Sequence, residues 1–344
     1  MKILITGGCG FIGCNAAQRF MQLGHSVTVL DNLSRRGSVK NFAWLQTQGE
    51  FEFINADIRN AERMNQIVSD GAFEVVLHLA AQVAVTTSVI EPREDFEINA
   101  LGTFNVLEAV RKHSPQAIVL NASTNKVYGK LSDVQVEGEA TRCKLPALPN
   151  GVGETQPLDF HSPYGCSKGT GDQYMNDYAR IYGLRTVNFR QSCIYGYRQF
   201  GVEDQGWVAW FTIAHESRQP VVIYGSGKQV RDILFIDDLI DCYLAAIERI
   251  DRVSGMTFNV GGGPDNTLSL LELMEKLRQH SGRGVVHSFE DWRPGDQPVY
   301  VSDIRKAKQL LGWQPRVDIN EGLQRLHEWV GRNLEMFASP AIPA

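Results

Sequence analysis

The feature that most constrains the fold stands at the amino end. Ile3-Leu4-Ile5-Thr6 is a short apolar run, Gly7-Gly8-Cys9-Gly10 is a glycine-rich turn, and Phe11–Leu23 carries helical spacing. A strand that enters a turn and opens a helix is the first unit of a parallel sheet, because parallel neighbours need a crossover between them. The alternation continues. Val27–Leu30, Phe51–Asn55, Val75–Leu79, Ala117–Asn121 and Thr186–Arg190 read as strands, and Ala61–Ser69, Arg93–Lys112 and Pro163–Tyr182 as helices between them. This predicts an α/β fold, a doubly wound parallel Rossmann sheet over residues 1–190, with ligands at the carboxyl ends of its strands.

Beyond residue 190 the segments shorten. Gly196, Gly201, Gly206, Pro220, Gly225 and Gly227 punctuate them, Gly261-Gly262-Gly263-Pro264 marks a turn, a helix starts near Leu268, and the last helical pattern is Ile319–Asn333. The expectation is a smaller mixed α/β substrate-binding lobe over 191–337 and a flexible tail at 338–344. Residues 130–160, aperiodic and rich in Gly and Pro, read as a long surface loop. The formal charge of -5 gives no basis for nucleic-acid or membrane binding. The longest apolar stretch, Glu74–Val85, is broken by His78 and Gln82 and falls short of the roughly 20 residues that cross a bilayer. The six cysteines (9, 14, 143, 166, 193 and 242) make no C-x-x-C pair and no zinc spacing. They read as reduced thiols of a cytoplasmic protein, and no metal is expected.

Gly8, Gly10 and Gly13 satisfy G-x-G-x-x-G, and Gly7, Gly10 and Gly13 the related G-x-x-G-x-x-G. Glycine permits the tight turn and keeps side chains away from a pyrophosphate, which the amino end of the helix then faces. Asp31 closes the second strand, where a carboxylate accepts from both hydroxyls of an adenosine ribose. Its charge repels a 2′-phosphate and favours NAD; Arg35 and Arg36 are the features that would instead hold that phosphate. Asp57-Ile58 follows the third strand, beside an adenine, unless Asp57 only caps a helix. Leu79-Ala80-Ala81-Gln82 ends the fourth strand in small side chains that suit either a cofactor or close packing. Phe11, Ile12, Asn32, Ser34, Arg35 and Asn99 complete the candidate cofactor contacts.

Tyr164 and Lys168, at i and i+4, share one helix face. A phenol titrates near 10 and is a poor base at neutral pH, but a neighbouring cation favours the phenolate. The pair can then take a proton from an alcohol while hydride leaves the carbon, with both groups against the nicotinamide. Thr124, at the end of the fifth strand, can hydrogen-bond the reacting oxygen; the alternative is a Ser/Thr turn. His78, His161 and His215 stand alone and read as structural.

On these residues, together with Asn99, Ala80-Ala81 and Ser123-Thr124-x-x-Val127-Tyr128-Gly129, the chain resembles the extended short-chain dehydrogenase/reductase family over nearly its whole length. The resemblance implies an NAD-dependent enzyme acting on a nucleotide-linked sugar, as a homodimer or homotetramer. Dehydratases of that family carry Asp-Glu directly after the threonine. Asn125-Lys126 stands there instead, so epimerisation is implied. Longer strings at 123–129, 158–168, 198–201, 204–208 and 227–232 resemble the branch that inverts C2 of CDP-linked deoxyhexoses, by transient oxidation and hydride return to the opposite face. The alternatives are a UDP-sugar 4-epimerase and a non-catalytic NAD-binding sensor or scaffold, against which the intact Thr124/Tyr164/Lys168 set argues. Arg231 and Arg293 match family positions for the diphosphate, which arginine holds through paired donors. Arg198, Gln199 and Gln205 are implied on a loop facing the cleft. Thr124, Asn125, Lys126, Gln191, Tyr224 and Asp296 complete the candidate substrate contacts. Trp207 and Trp210 either stack on a base or pack internally. Cys193 stands where many epimerases of the family have Asn.

Overall fold

The computed structural model describes residues 1–293 and 296–337; Pro294, Gly295 and the tail expected at 338–344 lie outside the described residues. Seven strands form the main sheet: β1 Lys2–Thr6, β2 Ser26–Asp31, β3 Glu52–Asn55, β4 Val75–His78, β5 Ile118–Thr124, β6 Arg185–Gln191 and β7 Met256–Val260. Their order is β7-β6-β5-β4-β1-β2-β3, and every pair is parallel. The chain winds outward from β1 to β3 and then resumes at β4 on the other side of β1. That reversal opens a crevice beyond the carboxyl ends of β1 and β4, where sheets of this kind take ligands.

The strands are apolar almost throughout because both faces are covered. Their period of two sorts the side chains: Ile3, Ile5, Val29, Leu77 and Leu120 join one core, and Leu4, Leu30, Val76 and Val119 the other. Helix α1, Phe11–Gln22, closes the first core with Ala16, Ala17 and Phe20. The second is closed by α2, Ala61–Gly71, α3, Gly102–His113, and α4, Ser162–Tyr182, through Met64, Val68, Val106, Val110, Met175 and Tyr178.

The chain leaves the sheet after β6 and later returns to it. The helix Ile236–Glu248 packs on the first core through Leu239, Ile240 and Tyr243, and β7 pairs with β6. Four further strands build a second sheet. Val230–Phe235 runs antiparallel to Thr267–Ser269 and parallel to both Val299–Tyr300 and Cys193–Tyr195. The helix expected near Leu268 runs Leu270–Ser281, because Ser269 caps it. Ser269 Oγ accepts from Glu272 N at 3.1 Å, and Glu272 Oε2 accepts from Ser269 N at 3.0 Å, a reciprocal capping box.

The 130–160 segment is largely exposed and irregular, as expected of a surface loop, but it is pinned at a few buried positions. Leu131, Leu145 and Val152 are buried with Val127, Tyr128, Val230, Val299 and Tyr300 in a third core. No helix among the described residues is long and apolar enough to cross a membrane.

Candidate active site

The crevice begins at the turn between β1 and α1. A Cβ on Gly13 would lie 2.4 Å from Gly7 O, and one on Gly7, at φ +67°, would lie 2.7 Å from Ala80 N. Neither position tolerates a side chain, so the turn presses against the end of β4 and leaves backbone exposed to the crevice. Gly10 precedes α1 with no side-chain cap, so the first N–H groups of the helix have no side-chain acceptor. Asp31 turns its carboxylate back onto the turn, accepting from Cys9 N at 2.9 Å and Leu33 N at 2.7 Å. Burial raises its pKa, and those two donors oppose the rise. A glycine cradle with uncapped N–H groups, ending on a carboxylate, fits the pyrophosphate and ribose of a dinucleotide.

The walls of this crevice are tied together by buried polar groups. Thr103 Oγ1 donates to Asn99 O at 2.6 Å, so at 3.0 Å it must accept from His78 Nε2. His78 Nδ1 then accepts from Thr6 Oγ1 at 2.7 Å. His78 is thereby a neutral tautomer lacing β1, β4 and α3, and burial pulls its pKa down to about 3. Asn99 lies in a π-helical turn, Glu97–Leu101, a distortion frequent at functional sites. It brackets Gln82, accepting from its N–H and donating to its carbonyl, both at 3.0 Å. Asn32 Nδ2 donates to Asp57 Oδ2 at 3.1 Å, and Ser34 bonds Asn32 Oδ1. Phe11, Ile12, Leu79 and Ala80 are partly buried against the two cores, while Ile58 sits wholly in the second. Arg35 donates to the side chain of Gln205, linking the loop after β2 to the loop before the helix Trp207–Glu216.

Thr124, Tyr164 and Lys168 meet in a buried pocket beside the crevice, all under 9% exposed. Lys168 Nζ donates to Ala122 O at 2.6 Å, on β5. Burial pushes the Tyr164 phenol up to about 12, against the pull of the Thr124 hydroxyl, with Asp95 raising it further and Arg35 lowering it. The sequence led us to expect a phenol lowered by its lysine. Here the lysine is engaged by a carbonyl, and desolvation of the phenolate dominates. Lys168 is itself brought down to about 8 by burial, against the fields of Asp172 and Asp95.

The substrate-side candidates fall into groups. Lys126 Nζ and Arg231 Nη2 each lie 3.8 Å from Asp296 Oδ1. Burial, and then Arg231, bring Lys126 down to about 8. Cys193 belongs with them, its thiol raised by burial and eased by Arg231, and it accepts from Trp207 Nε1 at 3.3 Å. Arg293 stacks 3.7 Å over the Tyr224 ring and pairs with Glu203 and Asp204 at 3.3 and 3.2 Å. Asn125 Oδ1 lies 3.4 Å from Thr124 Oγ1. Gln191 is directed inward, donating to Tyr243 OH at 2.5 Å, and Gln199 donates to Ile194 O. Arg198 is not brought to this group: its guanidinium lies 4.3 Å from the Trp44 ring centre and 5.9 Å from that of Trp329. Sequence reading missed Asp95, Glu203 and Thr103, none of which stands in a motif, and gave no role to Asp204, which opens the 204–208 string. Among the described residues no cluster of three His, Cys, Asp or Glu side chains could hold a metal ion.

A seven-stranded parallel sheet with a glycine cradle and a Tyr–Lys pair at its carboxyl edge defines an extended short-chain dehydrogenase/reductase. More closely, residues 4–326 match the family model described as GDP-mannose 4,6 dehydratase, and the chain belongs to that family. It is 45% identical over 334 residues to the CDP-paratose 2-epimerase of Salmonella typhi, covering 96% of this chain and 99% of that protein. The UDP-glucose 4-epimerase of Thermotoga maritima, solved with UDP-glucose, superposes with a TM-score of 0.83 at 33% identity, covering 97% of this chain and all of that one. The UDP-glucuronic acid 4-epimerase of Bacillus cereus, solved with UDP-glucuronic acid and NAD, superposes with a TM-score of 0.82 at 27% identity, covering 96% and 99%.

Proposed function

We propose that this chain is an NAD-dependent isomerase that inverts C2 of a CDP-linked deoxyhexose, converting CDP-paratose to CDP-tyvelose. The observation that carries this reading is the buried Thr124–Tyr164–Lys168 group beside a glycine crevice that ends on Asp31. The 45% identity with the Salmonella typhi CDP-paratose 2-epimerase supports the substrate. The NAD complex of the Bacillus cereus relative supports the cofactor. Gly7, Gly10 and Gly13 would cradle the pyrophosphate and Asp31 the ribose. NAD, when bound, takes up and returns a hydride, and its nicotinium charge favours the phenolate of Tyr164.

The residues of this chain supply the rest. Tyr164 Oη takes the proton of the C2 hydroxyl and gives it back after the keto sugar has turned over. The Thr124 hydroxyl donates to the same oxygen, and the Lys168 charge steadies the phenolate. Arg231 and Arg293 hold the diphosphate. Asn125 and Lys126 offer no carboxyl pair after Thr124, so water elimination lacks its acid and base.

The test is incubation with CDP-paratose and, separately, with UDP-glucose in deuterated water. The expected result is CDP-tyvelose with no deuterium on carbon, since the hydride returns directly, and NAD released when the protein is denatured. Interconversion of the UDP-sugar alone would replace this reading with 4-epimerisation, the activity named for the Thermotoga maritima relative.

We also propose a homodimer or homotetramer in the cytoplasm. Ile90 and Phe96, which are 75% and 55% exposed, sit on adjoining short helices, and exposed apolar surface marks interfaces. All six cysteines are free thiols, as a reducing compartment requires. Light scattering should give a multiple of the 38.4 kDa chain mass; a monomer at micromolar concentration overturns the assembly.

A further inference from the structure

Asp95 is fully buried, in the helical turn Pro92–Phe96 that leads into the π-helical turn carrying Asn99. Ser167 Oγ donates to its Oδ2 at 2.5 Å, and Asn99 Nδ2 donates to its Oδ1 at 3.1 Å. Both donors are neutral. Among the described residues no Lys, Arg or His nitrogen lies within 4.0 Å of this carboxylate; burial raises its pKa, opposed by the Ser167 hydroxyl, the more distant charge of Lys168 and the Asn99 amide. A buried carboxyl without a paired cation is costly, and such groups concentrate where chemistry uses them. Ser167 is the residue before Lys168 on α4, and Asn99 brackets Gln82 in the segment that follows β4. The carboxylate therefore sits where the helix bearing Tyr164 and Lys168 is fastened to the crevice wall.

We propose that Asp95 is a positioning residue for the Tyr164–Lys168 pair, its carboxylate pinning Ser167 against Asn99 on the turn of α4 that separates the two groups. The inference rests on the acid–base roles proposed above. A base that must take a proton and return it works best when its affinity for the proton is neither too high nor too low. NAD, when bound, favours the phenolate, and Asp95 opposes that pull while helping Lys168 stay charged. The fields on Tyr164 and Lys168 agree with these signs: Asp95 raises both. The other charged groups facing the pair are Asp172, which is paired with Arg190, and Arg35; His78 is held neutral.

The test is the pH profile of kcat for Asp95→Asn and Asp95→Ala against the unaltered enzyme. The acid limb reports loss of the phenolate and the alkaline limb loss of the ammonium. Removing a negative charge lowers both pKa values, so both limbs should move to lower pH together, by on the order of one unit. A merely structural role would lower the height of the profile and leave its limbs in place. Limbs unmoved in either folded variant overturn the proposal, and so does failure of both variants to fold. Full turnover by Tyr164→Phe would instead remove the function proposed above, which separates the two failures.

Discussion

Replacing Tyr164 with phenylalanine is expected to lower kcat by about 10² to 10⁴, the usual contribution of a positioned proton-transfer group, while fold and cofactor content stay intact. The phenol is buried, so a phenyl ring of the same shape fills its place, and its hydroxyl interacts with Thr124, which retains its contact with Asn125 Oδ1. No other group in the pocket can take over. His78 is a neutral tautomer with both ring nitrogens engaged, and Lys168 is committed to Ala122 O. Loss confined to proton transfer appears in kcat and kcat/KM together, with KM little changed. Epimerisation near the unaltered rate by Tyr164→Phe would remove Tyr164 as the base. A variant that lost NAD as well would show that the hydroxyl holds the cofactor instead.

The glycine cradle and the Tyr–Lys pair were legible in the sequence because each is short-range: three glycines spaced three residues apart from the turn into the first turn of α1, and two side chains one helical turn apart. The strands of the sheet were legible because continuous apolar runs bounded by turn residues signal cover on both faces. The obscure parts depend on distant partners. The 130–160 segment looked like open loop because Leu131, Leu145 and Val152 fit no helical or strand period, yet they bury against Val230, Val299 and Tyr300. Arg198 carried the mark of a cleft residue until Trp44 and Trp329, far away in the chain, proved to flank it. Asp95 reads as one more acid in Arg93-Glu94-Asp95-Phe96-Glu97, and acidic side chains are rarely fully buried. Only the packing of that helix on α4 singles it out from Glu94. The chemistry of the pair was also half hidden: spacing brings Tyr164 and Lys168 to one face, but desolvation sets their proton affinities, and a motif does not report it.

The stability of the site hangs on a second buried acid. Arg190 Nη2 and Nε donate to the two oxygens of Asp172 at 2.8 and 3.0 Å, with the side chains 5% and 0% exposed. Ser123 Oγ and Asn188 Nδ2 donate to the same carboxylate. Arg190 Nη1 donates to Tyr128 OH, which in turn donates to Asn259 Oδ1. Burial disfavours the arginine's charge, but the hydrogen bonds and field of Asp172 outweigh it and hold its pKa above the ordinary value. This network joins α4 to β5, β6 and β7 directly beneath Lys168, so its loss is felt in fold and site alike. Arg190→Met, close in length but uncharged, is expected to cost about 3–5 kcal/mol, because it leaves Asp172 buried without its cation. That is a large part of a typical folding free energy, and the melting temperature should fall by on the order of 10 °C. Adding Asp172→Asn to Arg190→Met removes the orphaned charge, keeps an acceptor for Ser123 and Asn188, and should restore part of the loss. The double variant nonetheless takes away a field that favours the charged form of Lys168. Its alkaline activity limb should therefore fall to lower pH even where its stability recovers. A single variant melting within about 2 °C of the unaltered protein would show that the pair is dispensable to the fold, and a double variant less stable than the single would show that the orphaned charge was never the source of the cost.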